Sequence, residues 1–288
     1  MSDVFSDRVR SAGASLAPAA RRVITFIDQN RAAVLATSAT DLAARTGTSD
    51  ATVIRAVQAL GFSGLAELRQ ALLAAIEAPS SPAHDMRRTL DDLGETSDKA
   101  IDMVLEAHEE AVARLRSAES RAAMVAAAAI LHPADRIVVF GVGPSAALIR
   151  YTALLLARNG RRTTTLDTTG SALADQLLGL RPNDALLVLA YGRAYREVTC
   201  VFGEARRLGL QVVLVTDGPL GRLAEQADVV LNLPRGRTER MALHGATLVA
   251  LEALVPGLAA ANRTGAIDSL DRLNALRRAV GTSRDEAG

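Results

Sequence analysis

The chain is poor in the residues that most often announce a chemistry. It has one cysteine (Cys200), no tryptophan and 3% aromatic residues in 288. A single thiol excludes an intramolecular disulfide and any thiolate cage for zinc or an iron–sulfur cluster. No stretch approaches the roughly eighteen uninterrupted apolar residues of a membrane span. The opening MSDVFSDRVR also lacks the apolar segment of a signal peptide, so a cytoplasmic protein with no membrane contact is expected. Neither sign of charge dominates: 33 Lys and Arg stand against 32 Asp and Glu, for a net charge of +1. No global field selects a partner, and any contact with nucleic acid must come from a local patch. Lys99 is the only lysine, a bias of composition rather than of mechanism. No catalytic triad, metal motif or P-loop appears, and no cofactor is expected.

What is present is an ordinary globular balance, 49% hydrophobic and 23% charged, in a chain long enough for one large domain or two smaller ones. The composition changes at EAPSSPAHDMRRTLDDLGETSDKA (77–100), where Pro79, Ser80, Ser81 and Pro82 stop any helix. Before this stretch only helical patterns occur. After two more helical stretches (99–131), apolar runs at 136–140, 162–166, 185–190, 211–216 and 228–233 alternate with helical patterns near 145–159, 170–179, 196–208 and 219–226. Continuous apolar strands separated by helices predict a doubly wound, parallel α/β sheet covered on both faces. Helices near 238–254 and 266–280 follow, and the final GTSRDEAG is expected to be disordered. The predicted division is 1–76, a linker at 77–99, an α/β domain at 100–262, and a C-terminal helix and tail at 263–288.

Within the first domain, TSATDLAARTGTSDATVIRAVQALGF has the form helix, glycine turn, helix. Ser38 with Asp41 has capping-box spacing, and Gly47 supplies the left-handed end of the first helix. Ser49 caps the second helix, whose apolar stripe is Val53, Ile54, Val57 and Leu60. This is the pattern of a DNA-reading helix-turn-helix, in which the second helix enters the major groove. Thr48, Ser49, Asp50, Thr52 and Arg55 are its candidate DNA-facing residues, because Arg bonds guanine bidentately and hydroxyls reach bases or phosphates. Arg21 and Arg22, on a helix that opens at Pro18, are candidate phosphate contacts. The alternative is a plain helical hairpin whose hydroxyls only cap. Double-stranded operator DNA is thus one expected partner.

Two strand-to-helix turns carry the second domain's chemistry. In FGVGPSAAL, Gly141 and Gly143 let the backbone approach a ligand, and Ser145 adds a hydroxyl at a helix N-terminus, where an anion is favoured. The same residues fit a dinucleotide fingerprint with Asp167 as ribose partner, which would make a redox-sensing repressor binding NAD(H). After the third strand, LLVLAYGRAYREV offers Tyr191, Gly192, Arg193 and Tyr195 but no Ser or Thr. Thr168, Thr169 and Ser171 follow the second strand at the same sheet edge, as ligand groups or as helix caps. His244 is expected to be a partly buried packing residue, Cys200 a small core residue, and Arg237, Glu239 and Arg240 a solvated face. His244, Glu239 and Glu252 are the residues an isomerase would need by type.

The segments LAPAARRVITFIDQN and DLAARTGTSDATVIRAVQALGFSGLAELRQALL resemble the N-terminal domain of RpiR-type transcriptional regulators. The resemblance rests on Asp41-Leu42-Ala43, Gly47, Ser49, Ala51 to Arg55, Leu60-Gly61-Phe62 and Gly64; Ala56 stands where that family commonly has an aromatic. FGVGPS, ARNG, LRPNDALLVLA, EARRLGLQVVLVTD and LAEQADVVLNLP resemble a SIS (sugar isomerase) domain in the same order. The implied fold is an all-α helix-turn-helix domain followed by an α/β doubly wound parallel-sheet (SIS-like) domain, a regulator rather than an enzyme. The implied effector is a phosphorylated sugar held between the first turn and a hydroxyl-rich second turn. Here only Gly192 and Glu197 keep the second pattern, with Ala194 in place of a threonine. The expected effector is therefore a small anion, either a sugar phosphate or a sugar acid, unless the domain only dimerises. A homodimer or higher even oligomer is expected, through the apolar helices at 101–131 and 238–258.

Overall fold

The computed structural model describes residues 4–12, 16–35, 37–77, 82–93, 97–192, 195–218, 221–236 and 240–281. The chain divides into two compact units, Met1–His84 and Asp85–Gly288.

The first unit is helical: α1 (Val4–Ala12), α2 (Pro18–Gln29), the single turn α3 (Arg31–Val34), α4 (Ala39–Thr46), α5 (Asp50–Ala59) and α6 (Leu65–Glu77). Pro18 opens α2 at a position where its missing N–H is not needed. Ser38 caps α4 through the Asp41 amide, and Gly47 ends it at φ +61°. Ser49 then caps α5 through the Thr52 amide. Leu42, Ala43, Val53, Ala56 and Val57 bury against Val23, Ile24 and Ile27 of α2 in one core. Ala56 is fully buried there, so the missing aromatic leaves the helix packing intact.

The helix α7 (Pro82–Leu93) runs across the division, and α8 (Ser97–Leu115) and α9 (Ala118–Leu131) follow in the second unit. Next come β1 (Arg136–Phe140), α10 (Ser145–Arg158), β2 (Thr163–Leu166), α11 (Gly170–Leu177), β3 (Asp184–Leu189), α12 (Arg196–Leu208), β4 (Gln211–Thr216), β5 (Val229–Asn232), α13 (Gly245–Ala261) and α14 (Arg263–Gly281). All strand pairs are parallel, in the order β2-β1-β3-β4-β5. Alternate strand residues face opposite sides. Ile137, Val139, Leu187 and Val213 pack with α9, α10 and α13, whereas Val138, Phe140, Leu186 and Leu214 pack with α11 and α12. Burial on both faces is why these strands read as continuous apolar runs.

The sequence expectations differ from this architecture at a few places. Part of the predicted linker is the helix α7. Pro82 starts it instead of stopping it, because the first helical turn tolerates proline. Residues 221–226 form a 3-10 turn where a helix was expected. The helix expected from 238 starts at Gly245, because Leu243 N donates to Arg235 O (3.0 Å) and Met241 N donates to the Thr89 hydroxyl (2.9 Å), in place of helical bonds. The expectation of disorder in GTSRDEAG falls, beyond Gly281, outside the described residues.

Candidate functional site

In the first unit, α4, the Gly47 turn and α5 form the helix-turn-helix. Arg55 is exposed, and its Nε donates to Ala51 O at 3.2 Å. Several hydroxyls are engaged locally. Ser49 Oγ accepts from Thr52 N at 3.3 Å and lies 2.9 Å from Thr52 Oγ1. Thr40 donates to Asp50 Oδ2 at 2.7 Å, tying the two helices together, and Thr48 lies 2.8 Å from the Thr46 hydroxyl. Ser49 and Asp50 therefore shape the turn while remaining on its surface. Arg21, Arg22 and Arg45 line one concavity of about 650 Å³ together with Thr25, Phe26 and Thr46. Through Thr46 and Thr48 this basic groove adjoins the N-terminus of α5.

In the second unit, α10 and α12 pack on opposite faces of the sheet, so the chain reverses its winding between the adjacent strands β1 and β3. A crevice at the carboxyl ends of strands at such a switch point is where doubly wound sheets hold ligands. The turns after β1 and β3 are the two that the sequence singles out. Gly141 N donates to Leu166 O (3.1 Å), which fixes the first turn to β2. A Cβ on Gly141 would lie 2.9 Å from Ile149 Cγ2 and 3.0 Å from Ser145 Cβ, so only glycine allows α10 to start this close. Gly143 has φ +61° and open space around it. Ser145 is the first residue of α10 and is buried, and its hydroxyl makes no hydrogen bond among the described residues. Ala146 N and Ala147 N donate to Gly143 O and Pro144 O within the turn, and the helix N-terminus, the glycine-opened backbone and the uncommitted hydroxyl are the features of an anion cradle.

The second turn has a different chemistry. Gly192 also adopts φ +66°, and its N–H donates to Asp217 Oδ1 at 3.1 Å. Tyr191 turns into the core, and its hydroxyl lies 2.9 Å from Thr247 Oγ1 on α13. Burial pushes the Tyr191 phenol up to about 12, so it stays neutral. Arg235 lies over the Tyr191 ring at 4.2 Å and pairs with Asp217 at 2.7 Å, which compensates its charge. His244 meets the same ring edge-on at 5.4 Å. Its Nδ1 is buried without a hydrogen-bond partner, and burial followed by the Arg235 charge lowers its pKa. Tyr195 is exposed at the start of α12. Arg193 and Ala194 lie outside the described residues.

Several other candidates have local partners. Asp167 pairs with Arg150 at 2.7 Å and accepts from Gln176 Nε2 at 3.2 Å; the Arg150 hydrogen bond, then that of Gln176, holds its pKa below the usual range. Thr168 donates to Gln176 Oε1 at 2.9 Å, while Thr169 stands exposed before α11 without capping it through its side chain. Glu252 is exposed and accepts from Tyr151 at 2.8 Å. Cys200 is exposed instead of buried, because the inner face of α12 is Val198, Val201, Phe202 and Ala205. Arg240 is partly buried on Asp92 at 2.5 Å instead of solvated, and Arg237 and Glu239 lie outside the described residues. Asp217 and Arg235 were not singled out from the sequence. Their signal was position, since each sits just past the carboxyl end of a strand.

No helix among the described residues is by itself long and apolar enough to cross a membrane. Solved structures with the same fold include the Vibrio vulnificus NanR protein complexed with ManNAc-6P, 24% identical over 96% of this chain and 98% of that one, with a TM-score of 0.55. Another is the sugar isomerase domain of an RpiR transcription factor from Sphaerobacter thermophilus, 25% identical over 59% of this chain and 93% of that one, with a TM-score of 0.52. The model of the rpiR-family helix-turn-helix domain matches residues 5–79, and the model of the SIS domain matches residues 130–256. With the helix-turn-helix and the sheet both inside the matched stretches, the chain carries an rpiR-family helix-turn-helix domain followed by a SIS domain.

Proposed function

We propose that this chain is a cytoplasmic, ligand-responsive transcription regulator without enzymatic activity, acting as a homodimer or higher even oligomer. Its first unit reads double-stranded operator DNA with the N-terminal half of α5 and holds phosphates with Arg21 and Arg22. Its second unit senses a small anionic carbohydrate derivative. The observation that carries this reading is the uncommitted Ser145 hydroxyl in a glycine turn at the β1/β3 switch point, behind a helix-turn-helix in the same chain. The sugar phosphate named for the NanR protein supports a sugar phosphate as effector. The first turn would take the anionic end, and the neutral wall of Tyr191 and the Arg235–Asp217 pair would take the rest. A sugar acid is the second reading, favoured by the lack of hydroxyl donors in the second turn. The dinucleotide alternative is weakened because Asp167, its ribose partner, is bound to Arg150 and Gln176.

A thermal-shift screen tests the effector class, since a ligand of the native state raises apparent stability by mass action. The panel holds sugar phosphates, phosphate-free sugar acids and NADH, each on the native chain and on Ser145→Ala. A concentration-dependent rise with a sugar phosphate or sugar acid, lost in the variant, is the expected result. A rise with NADH alone would overturn the reading.

A further inference from the structure

The residues that follow β5 touch two places at once. On one side they pack on the turn after β3: Arg235 lies over Tyr191 and pairs with Asp217, and His244 meets the Tyr191 ring with a buried, unpartnered Nδ1. On the other side they hold α7, the helix through which the chain leaves the first unit. Met241 N donates to Thr89 Oγ1 at 2.9 Å, and that hydroxyl donates in turn to Asp85 O at 2.8 Å, so both its roles are used in a side chain only 2% exposed. Arg240 binds Asp92 with Nε at 2.5 Å and Nη2 at 3.3 Å, a two-pronged pair on a guanidinium that is 17% exposed.

The two sides are joined through the backbone. Leu243 N donates to Arg235 O at 3.0 Å, closing the chain on itself, and Gly236 makes that closure at φ +88° with Leu243 packed beside it. Directly after His244, Gly245 has the His108 ring of α8 against its Cα, where a Cβ would lie 2.4 Å from that ring. Three residues lie between Arg240, which contacts α7, and His244, which meets Tyr191. A shift at either one therefore reaches the other.

We propose that residues 235–236 and 240–245 are the coupling element of this protein: His244 reads the bound carbohydrate derivative, and Arg240 and Met241 pass the occupancy to α7. This rests on the crevice being the effector site and the first unit binding DNA. A ligand hydroxyl or carbonyl that satisfies His244 Nδ1 favours one position of the segment. The position of Arg240 and Met241 then sets how α7 is held, and with it the presentation of the DNA-binding unit. Coupling of this kind requires the ligand to bind the two positions with different affinity.

Two arms test it, both on the full-length protein. In the first, hydrogen exchange over 86–93 is compared without ligand in the native chain, His244→Ala and the milder His244→Gln. Faster exchange of α7 in both variants is expected, and unchanged exchange would overturn the proposal. In the second, operator affinity is measured with and without the panel compound that stabilises the native chain. Coupled sites typically change affinity by about 5–150-fold. Arg240→Gln should reduce that change to less than about twofold while effector and operator each still bind, and Arg240→Asp with Asp92→Arg should restore part of it. Full coupling in Arg240→Gln would also overturn the proposal. If no panel compound binds the native chain, the effector reading fails instead, and the exchange arm still decides for or against the coupling element.

Discussion

Gly141→Ala is the most direct probe of how the anion cradle is built. The added methyl would sit 2.9 Å from Ile149 Cγ2, 3.0 Å from Ser145 Cβ and 3.3 Å from Ser145 O. Ile149 is fully buried and cannot swing aside, and the two Ser145 atoms are held by the first turn of α10. The strain has to be relieved by moving the turn away from the helix. Overpacking of this kind costs about 1–3 kcal/mol. For a domain of this size each kcal/mol lowers Tm by about 2–4 °C, so a fall of roughly 2–12 °C is expected by calorimetry. Effector affinity should fall with it, because the moved turn no longer aims its amides and Ser145 at one point. The cause is checked with Ile149→Ala, which removes the closest atom. That change is itself destabilising, but the cost of Gly141→Ala should be smaller in its background by about 0.5 kcal/mol or more, the range found for residues in contact. Equal cost in both backgrounds, or no cost at all, would refute the reasoning.

Other outcomes follow from the same geometry. Ser145→Ala removes one hydrogen bond to a charged group, worth about 1.5–3 kcal/mol, so effector should bind roughly 10–150-fold more weakly by calorimetric titration with operator affinity unchanged. Arg55→Ala should weaken operator binding by about 1–3 kcal/mol and relax preference at one base pair, as read by binding to a set of single-base operator variants. His244 gives a pH dependence. Its folded pKa lies below its unfolded value, so the unfolded state takes up the proton first and stability falls as the pH drops through about 6.5. Thermal unfolding between about pH 8 and pH 5 should show this fall, and His244→Gln should flatten it.

Much of the fold was legible because a parallel sheet buried on both faces leaves a plain trace. Its apolar runs match the strands to within two residues, and the caps at Ser38, Gly47 and Ser49 sit where the chemistry of helix ends requires. The first half of the crevice was legible for the same reason, since Gly141, Gly143 and Ser145 are close in sequence and bound to one turn. The second half was not. Asp217 follows β4 and Arg235 and His244 follow β5, and they meet Gly192 and Tyr191 only through the sheet order. Residue type alone also does not name the partners of hydroxyls and charges. Thr168 went to Gln176, and Arg240, which reads as a surface charge, holds Asp92. Local patterns carry propensity and capping, whereas long-range pairing depends on topology.

Occupancy of the SIS crevice is expected to change how the first unit holds DNA. The measurement is fluorescence anisotropy of the full-length protein on a duplex recovered by selection from random DNA, titrated with the sugar phosphate or sugar acid that stabilises it. Sequence-specific binding is expected, with an affinity that shifts at least about fivefold on adding that compound and a shift that is lost in Ser145→Ala. Specific binding that is indifferent to the compound in the native chain would contradict it.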